Sequence, residues 1–168
     1  AARVFANKGL RDTSVEDLLE AASVSRRTFY RMFESKEAVA LALYNFGTAN
    51  LIEGCKRAIA STTDPLEQFE RCIDVHLRNA GTMGRLVFVL GGEATRQESP
   101  LHARRMQTHD MLVDLLRAAH PEKAKLDPLL VRSTLFALEA VVRYVLAQGD
   151  EGRKVSPAAI ERARKVIM

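Results

Sequence analysis

The chain has 168 residues, 47% hydrophobic and 27% charged, with 9 Gly, 5 Pro, 2 Cys and a formal net charge of +4. These values fit one globular chain with a modest core and exclude disordered, collagen-like and low-complexity classes. So few Gly and Pro also leave too few turns for a sandwich or barrel of short strands, and an all-α fold is expected. Cys55 and Cys72 form no CxxC pair and are too few for a disulfide framework or a zinc site. There is no apolar run of about 18 residues and no signal-peptide layout, which points to a soluble cytoplasmic protein with no membrane partner.

In chain order, Ala1, Ala2, Val4 and Phe5 read as the middle of a helix without an initiator Met, so the chain is expected to continue before Ala1. That helix should close on Gly9, since glycine tolerates the left-handed conformation past a helix end. Thr13 and Glu16 have capping-box spacing and open a helix whose apolar face is Val15, Leu18, Leu19 and Ala22. Ser25 caps a short helix with Phe29 and Phe33 on one side, and Ser35 opens a long one from Lys36 to about Ala60, with Val39, Leu43 and Phe46 on its apolar face.

Four of the five prolines follow a capping residue, as Asp64-Pro65, Ser99-Pro100, Asp127-Pro128 and Ser156-Pro157. A cap oxygen accepts an orphan N–H and proline has none to leave unsatisfied, so each pair marks a helix start. Glu67 stands at the capping-box position relative to Asp64. The predicted helices cover residues 64–80, 82–96, 100–119, 128–148 and 157–168. Residues 86–90, Leu-Val-Phe-Val-Leu, could be a buried strand, but a lone strand has no partner, and a fully buried helix is expected instead.

The helix over 128–148 is apolar around most of its circumference, through Leu129, Leu130, Val131, Leu135, Phe136, Leu138, Val141, Val142, Val145 and Leu146. Arg132, Glu139 and Arg143 share one narrow stripe. A helix apolar nearly all round must be covered nearly all round, either by a second subunit or as the central helix of a monomer.

Charge is concentrated in one place. Residues 21–36 hold Arg26, Arg27, Arg31 and Lys36 against Glu34, which is +3 of the chain's +4. Residues 13–33 form two short helices joined by Ala22, Ser23 and Val24, a helix-turn-helix layout. With Phe29 and Phe33 inward, Arg26, Arg27, Tyr30 and Arg31 are displayed on an element that fits a major groove. An arginine fork can bond O6 and N7 of guanine together, while a tyrosine hydroxyl or a lysine can meet a phosphate. Lys36 sits in the first turn of its helix, where its charge opposes the macrodipole.

The run TSVEDLLEAASVSRRTFYRMFESKEAV over residues 13–39 resembles the DNA-binding domain of the tetracycline-repressor (TetR) family of bacterial transcriptional regulators. The resemblance covers about the first 46 residues and is carried by Val24-Ser25, Thr28-Phe29-Tyr30, Phe33 and Ser35-Lys36-Glu37. It implies phosphate contacts by Thr13, Thr28, Tyr30 and Lys36, with Ser14 adding another, and base-edge contacts by Arg26, Arg27 and Arg31. Met32 faces the same groove and could offer apolar contact to a thymine methyl. Ser23 stands where the turn usually has glycine, and Leu19 replaces a small residue where the two helices meet.

The resemblance further implies residues 1–46 as a DNA-binding domain and 47–168 as a helical ligand-sensing and dimerisation domain. The expected function is a regulator, a repressor in the simplest case, that binds palindromic double-stranded operator DNA as a homodimer through helices 128–148 and 157–168. A small-molecule effector would release it. No catalytic motif stands in the chain, and neither cofactor nor metal is expected. A helical ligand-binding or catalytic dimer with a vestigial DNA domain is the competing reading. Phe69, Ile73, His76, Phe88 and His109 are the candidate pocket residues, with both histidines equally readable as core. Glu93 and Arg96 read as a surface ion pair or as polar pocket groups. The long helix from Lys36 is expected to be the only link between basic helix and sensor, with Gly47 and Gly54 as pivots.

Overall fold

Short polar side chains start most of the helices, as the sequence suggests, with three starts shifted. α1 (Ala2–Asp12) is interrupted at Gly9, whose φ of 81° is open to glycine and strained for any side chain. α2 (Val15–Ala22) is capped by Ser14 rather than Thr13. Ser14 Oγ accepts from the Asp17 N–H at 3.1 Å, and the Asp17 carboxylate accepts from the Ser14 N–H at 2.8 Å. The reciprocal pair lies one residue later than predicted because Thr13 turns inward, 1% exposed, and donates its hydroxyl to Gly9 O at 2.6 Å. Ser25 caps α3 (Arg26–Met32) and Ser35 caps α4 (Lys36–Ala60).

Two Asp-Pro pairs behave as expected. Asp64 opens α5 (Pro65–Met83) and Asp127 opens α8 (Pro128–Ala147), their carboxylates accepting from the N–H of Leu66 and Leu129 at 2.9 and 2.8 Å. Glu67 does not complete a box on Asp64, because Thr62 and Arg71 hold its carboxylate. α5 runs to Met83 and stops at Gly84, φ 51°, so the break from α6 (Arg85–Ala94) falls later than predicted. The apolar run 86–90 is helical, with Leu86 and Leu90 buried but Val87, Phe88 and Val89 only half-buried. α7 (His102–Ala119) starts two residues later than the Ser99-Pro100 pair predicts, because Ser99 Oγ accepts from the Leu101 N–H at 3.2 Å in a turn that precedes the helix, and α9 (Pro157–Ile167) follows.

This computed structural model describes residues 1–122, 126–147 and 157–167, and among them nine helices and no strand. Gln148, Ser156 and Met168 of the predicted helices, and the side chains of Val145 and Leu146, lie outside the described residues. No helix among those described is long and apolar enough to cross a membrane.

Packing does not stop where the sequence suggested a domain boundary. Phe5, Leu18, Phe29 and Ala40 form one buried cluster with Leu86, Leu90 and Leu101, so α6 is part of the core beneath the basic helix. Arg85 Nε adds a bond to Ala6 O at 2.5 Å. A second cluster joins α4, α5, α7 and α8 around Leu51, Cys55, Leu112 and Val131, and a third joins α5, α8 and α9 around Leu77, Leu138 and Ala163.

Gly54 is a contact residue rather than a pivot. A Cβ built there would meet Val75 Cγ1 at 2.6 Å, so α4 and α5 touch at this point only because the side chain is absent. Gly54→Ala is expected to cost about 1 to 3 kcal/mol by overpacking, measured by urea denaturation, and Val75→Ala in the same chain should recover most of the loss. Gly47, with nothing within 4 Å of its virtual Cβ, remains free to play the other role.

Candidate functional site

The turn between α2 and α3 depends on Ser23, which takes the left-handed conformation (φ 52°, ψ 43°) and donates its N–H to Glu20 O at 3.1 Å. Serine thus occupies the backbone angle at which the resemblance expected glycine. Val24 N–H then donates to Leu19 O at 3.1 Å, which closes the exit. On α3, Phe29 is buried, with the Tyr30 ring edge-on at 5.3 Å and the Phe33 ring at 6.1 Å. These contacts fix the helix from below and leave Arg26, Arg27, Tyr30, Arg31 and Met32 exposed on its outer side.

The exposed groups are not equivalent. Arg26 is paired with Glu16 of α2, a solvent-facing ion pair that contributes little to stability and can exchange for another anion. No ion pair among the described residues engages Arg27 or Arg31. Thr28 is half-buried, its hydroxyl 3.0 Å from Ser25 Oγ. Ser14 is exposed at the start of α2.

Two of the expected phosphate ligands are differently placed. The Thr13 side chain is inside, so only its backbone could face DNA. Lys36 Nζ donates to Arg11 O at 2.7 Å and to Thr13 O at 2.6 Å, tying α4 to the turn after α1. The lysine therefore has a structural reason to stand in the first turn of a helix: it satisfies carbonyls of a neighbouring helix end. Its third N–H remains for an outside acceptor.

The second site is a cavity of about 900 Å³, counting the space at its mouth, enclosed by α4, α5, α6, α7 and α8. Leu43, Leu51, Met83, Leu86, Leu90 and Leu112 make its walls mostly apolar. Of the pocket residues named from sequence, His76 and His109 line it. Phe69 and Ile73 instead line a smaller adjoining space of about 370 Å³ that His76 also borders. Phe88 lines neither, because its half-turn offset from Leu86 and Leu90 points it away from the cavity wall. Glu93 is not a cavity residue but meets Arg11 at 3.7 Å and Arg96 at 3.9 Å.

The polar centre of the cavity is Glu139, which sequence reasoning did not select. Its Oε2 accepts from Arg105 Nε at 3.0 Å and Nη2 at 2.6 Å, and its Oε1 lies 2.9 Å from His109 Nε2. Burial pushes the pKa of this carboxyl up, but the bonds from His109 and Arg105 outweigh it and hold the value at about 2. Phe136 backs the pair, with its ring 5.0 Å from the Arg105 guanidinium carbon and from the His109 ring. Tyr44, also on the cavity wall, has its phenol pushed up first by burial and then by the Glu139 charge, so it is a neutral hydroxyl. Burial likewise lowers His76, which stands as a neutral imidazole. The signal for this network was in the α8 stripe of Arg132, Glu139 and Arg143. All three have partners on other elements: Arg132 meets Asp110 at the surface, while Glu139 meets α7 and Arg143 meets Thr95 at the cavity.

The flank of α8 beyond Phe136 is open. Ser133, Phe136, Ala137, Ala140 and Tyr144 are exposed at helical spacing, with Tyr144 at 63%, a mostly apolar stripe that no part of the described chain covers.

Residues 1–43 match the family model of bacterial regulatory proteins of the tetR family. The N-terminal part of the chain is a helix-turn-helix of the TetR type. A stretch of 83 residues is 35% identical to the HTH-type transcriptional regulator EthR of Mycolicibacterium smegmatis, which covers 49% of this chain and 38% of that relative, well under half of the relative's length. The fold extends over the whole chain. The TetR family transcriptional regulator PfmR from Thermus thermophilus superimposes with a TM-score of 0.75 at 23% identity, covering 99% of this chain and 91% of that one. The transcriptional regulator FadR from Bacillus subtilis, solved in complex with stearoyl-CoA, does so with a TM-score of 0.80 at 19% identity, covering 99% and 93%. The TetR-type architecture is therefore an N-terminal helix-turn-helix with a helical second part, all-α as expected.

Proposed function

We propose that this chain is a ligand-responsive transcriptional regulator, a repressor that binds palindromic operator DNA as a homodimer and leaves it when a small apolar molecule fills the cavity. The observation that carries the DNA half is the outer side of α3, where Arg27 and Arg31 stand exposed without carboxylate partners among the described residues, beside Tyr30 and Met32. Fixed from below by Phe29, such a helix can present guanidinium forks to base edges. The uncovered α8 stripe supports a second copy as the partner. The apolar cavity walls support a chain-like apolar effector, as does the shared fold with a FadR solved with stearoyl-CoA. The reading is of a regulator, not a catalyst.

Two routes connect cavity and reading head. α4 begins one turn after α3 and lines the cavity with Leu43, Tyr44 and Leu51, while α6 lines it with Leu86 and Leu90 and packs those same residues against Phe5 and Leu10 of α1. α4 is thus not the only link, as the sequence had suggested. An effector that prefers one α6 position shifts the heads only by its difference in affinity for the two arrangements.

Selection from a pool of random duplexes followed by gel shift tests the reading. Arg31→Ala is expected to cost about 1 to 3 kcal/mol, concentrated at one base pair of each half-site. A pool with no duplex enriched above background would overturn the DNA half and favour a ligand-binding dimer with a vestigial reading head.

A further inference from the structure

Resting on the effector-cavity reading above, we propose that the cavity selects an apolar chain ending in an anion, with the Arg143 guanidinium as the head-group anchor. The juxtaposition is an arginine at an apolar cavity whose natural partner is already taken. Glu139 lies four residues before Arg143 on α8, the spacing and order in which Glu and Arg pair on a helix. That pair does not form. Both Glu139 oxygens are held from α7, by Arg105 at 2.6 and 3.0 Å and by His109 at 2.9 Å.

Arg143 is left with one long contact, Nη1 to Thr95 Oγ1 at 3.5 Å, and its buried Nε has no hydrogen-bond partner. Arginine cannot shed its proton, so a guanidinium in this position keeps its charge and has no anionic acceptor among the described residues. The described cavity lining offers no other carboxylate: besides Glu139 and Arg143 its polar groups are His109, held by Glu139, the neutral Tyr44 and His76, Asn79, and the hydroxyls of Thr48 and Thr108, which donate to Asn45 O and Arg104 O. With Arg105 cancelling Glu139, the charge of Arg143 is uncompensated inside a wall of leucines and methionine. Local dielectric is low there, which strengthens attraction for an incoming anion. A carboxylate matches the planar fork of a guanidinium with two parallel bonds, and a chain attached to it would lie against Leu86, Leu90 and Leu112.

An acyl carboxylate and an acyl-coenzyme A thioester both bring an apolar chain with negative charge, so the probes separate them. Dodecanoate, methyl dodecanoate, dodecylamine and dodecanoyl-coenzyme A are titrated calorimetrically into the whole chain and into Arg143→Gln and Arg143→Lys. In the parent, one or both anions should bind about tenfold or more tighter than the ester, and the amine more weakly still. Which anion wins identifies the source. Arg143→Gln should erase the preference for the anion over the ester while the ester still binds, and Arg143→Lys should restore part of it. Equal binding of acid, thioester and ester to the parent, or an equal loss of all probes in Arg143→Gln with the fold intact by circular dichroism, overturns the anchor and leaves the cavity reading standing. If no probe binds at all, the effector cavity itself is refuted and the anchor with it.

Discussion

Glu139→Leu is expected to lower folding stability by about 2 to 4 kcal/mol, the loss seen when one partner of a buried ion pair is removed, scaled down for partial exposure. Arg105 is 8% exposed and His109 3%, while the Glu139 side chain is 22% exposed, so a nearly buried guanidinium and a buried imidazole lose the carboxylate that satisfies them. Urea denaturation measures the effect. Arg105→Met combined with Glu139→Leu should recover a large part of the loss, because replacing both members by apolar groups avoids the stranded charge. The sign of the pH dependence follows from the same geometry. The folded pKa of about 2 lies below the usual 4.5, so the contribution is present above the unfolded value and disappears as pH falls toward 2. Glu139→Gln should therefore flatten the stability curve between about pH 5 and pH 2. An unchanged acid limb in that variant would show that the Glu139 network does not stabilise the fold.

Ala140→Arg is expected to convert the proposed dimer into a monomer. Ala140 lies in the middle of the exposed α8 stripe, between Phe136 and Tyr144, where a small side chain lets two helices approach. A guanidinium in that position would be buried without an acceptor at the contact, a cost of several kcal/mol. Light scattering should give twice the protomer mass for the parent and one protomer for the variant. Binding to a palindrome should fall to the level of a single half-site, since the second head is no longer tethered. A parent chain that is monomeric at micromolar concentration would remove the homodimer from the proposal. Val142 looks on the sequence like an equally good choice, but it is 4% exposed within the protomer, and Val142→Glu would damage the core instead of the interface.

Much of the local structure was legible because it depends on near neighbours. Asp64 and Asp127 cap their helices through residues two positions away, Ser23 takes positive φ at the end of α2, and Gly9 takes it as a kink within α1, which runs on to Asp12 instead of closing there. The short basic helix could be read because Phe29 and its exposed arginines differ by face at helical spacing. Thr13 and Lys36 could not. Thr13 closes on Gly9, and Lys36 reaches back to carbonyls more than twenty positions earlier, which turns two expected DNA ligands into parts of the turn.

By itself, then, the sequence determined the all-α fold, most of the helix starts and the arginine-bearing helix of the head, since a cap, a helical period and a left-handed turn are settled within a few residues. Tertiary structure alone decided which side of α8 faces water. Arg105 and His109 of α7 meet Glu139, about thirty positions away in the chain, Val131, Leu135, Leu138 and Val142 enter the core, and the stripe of Ser133, Ala137, Ala140 and Tyr144 is left outside. The same long-range meeting leaves Arg143 without the carboxylate four residues before it. Side chains far apart in sequence compete for one acceptor, and only the packing of α7 against α8 determines which of them obtains it.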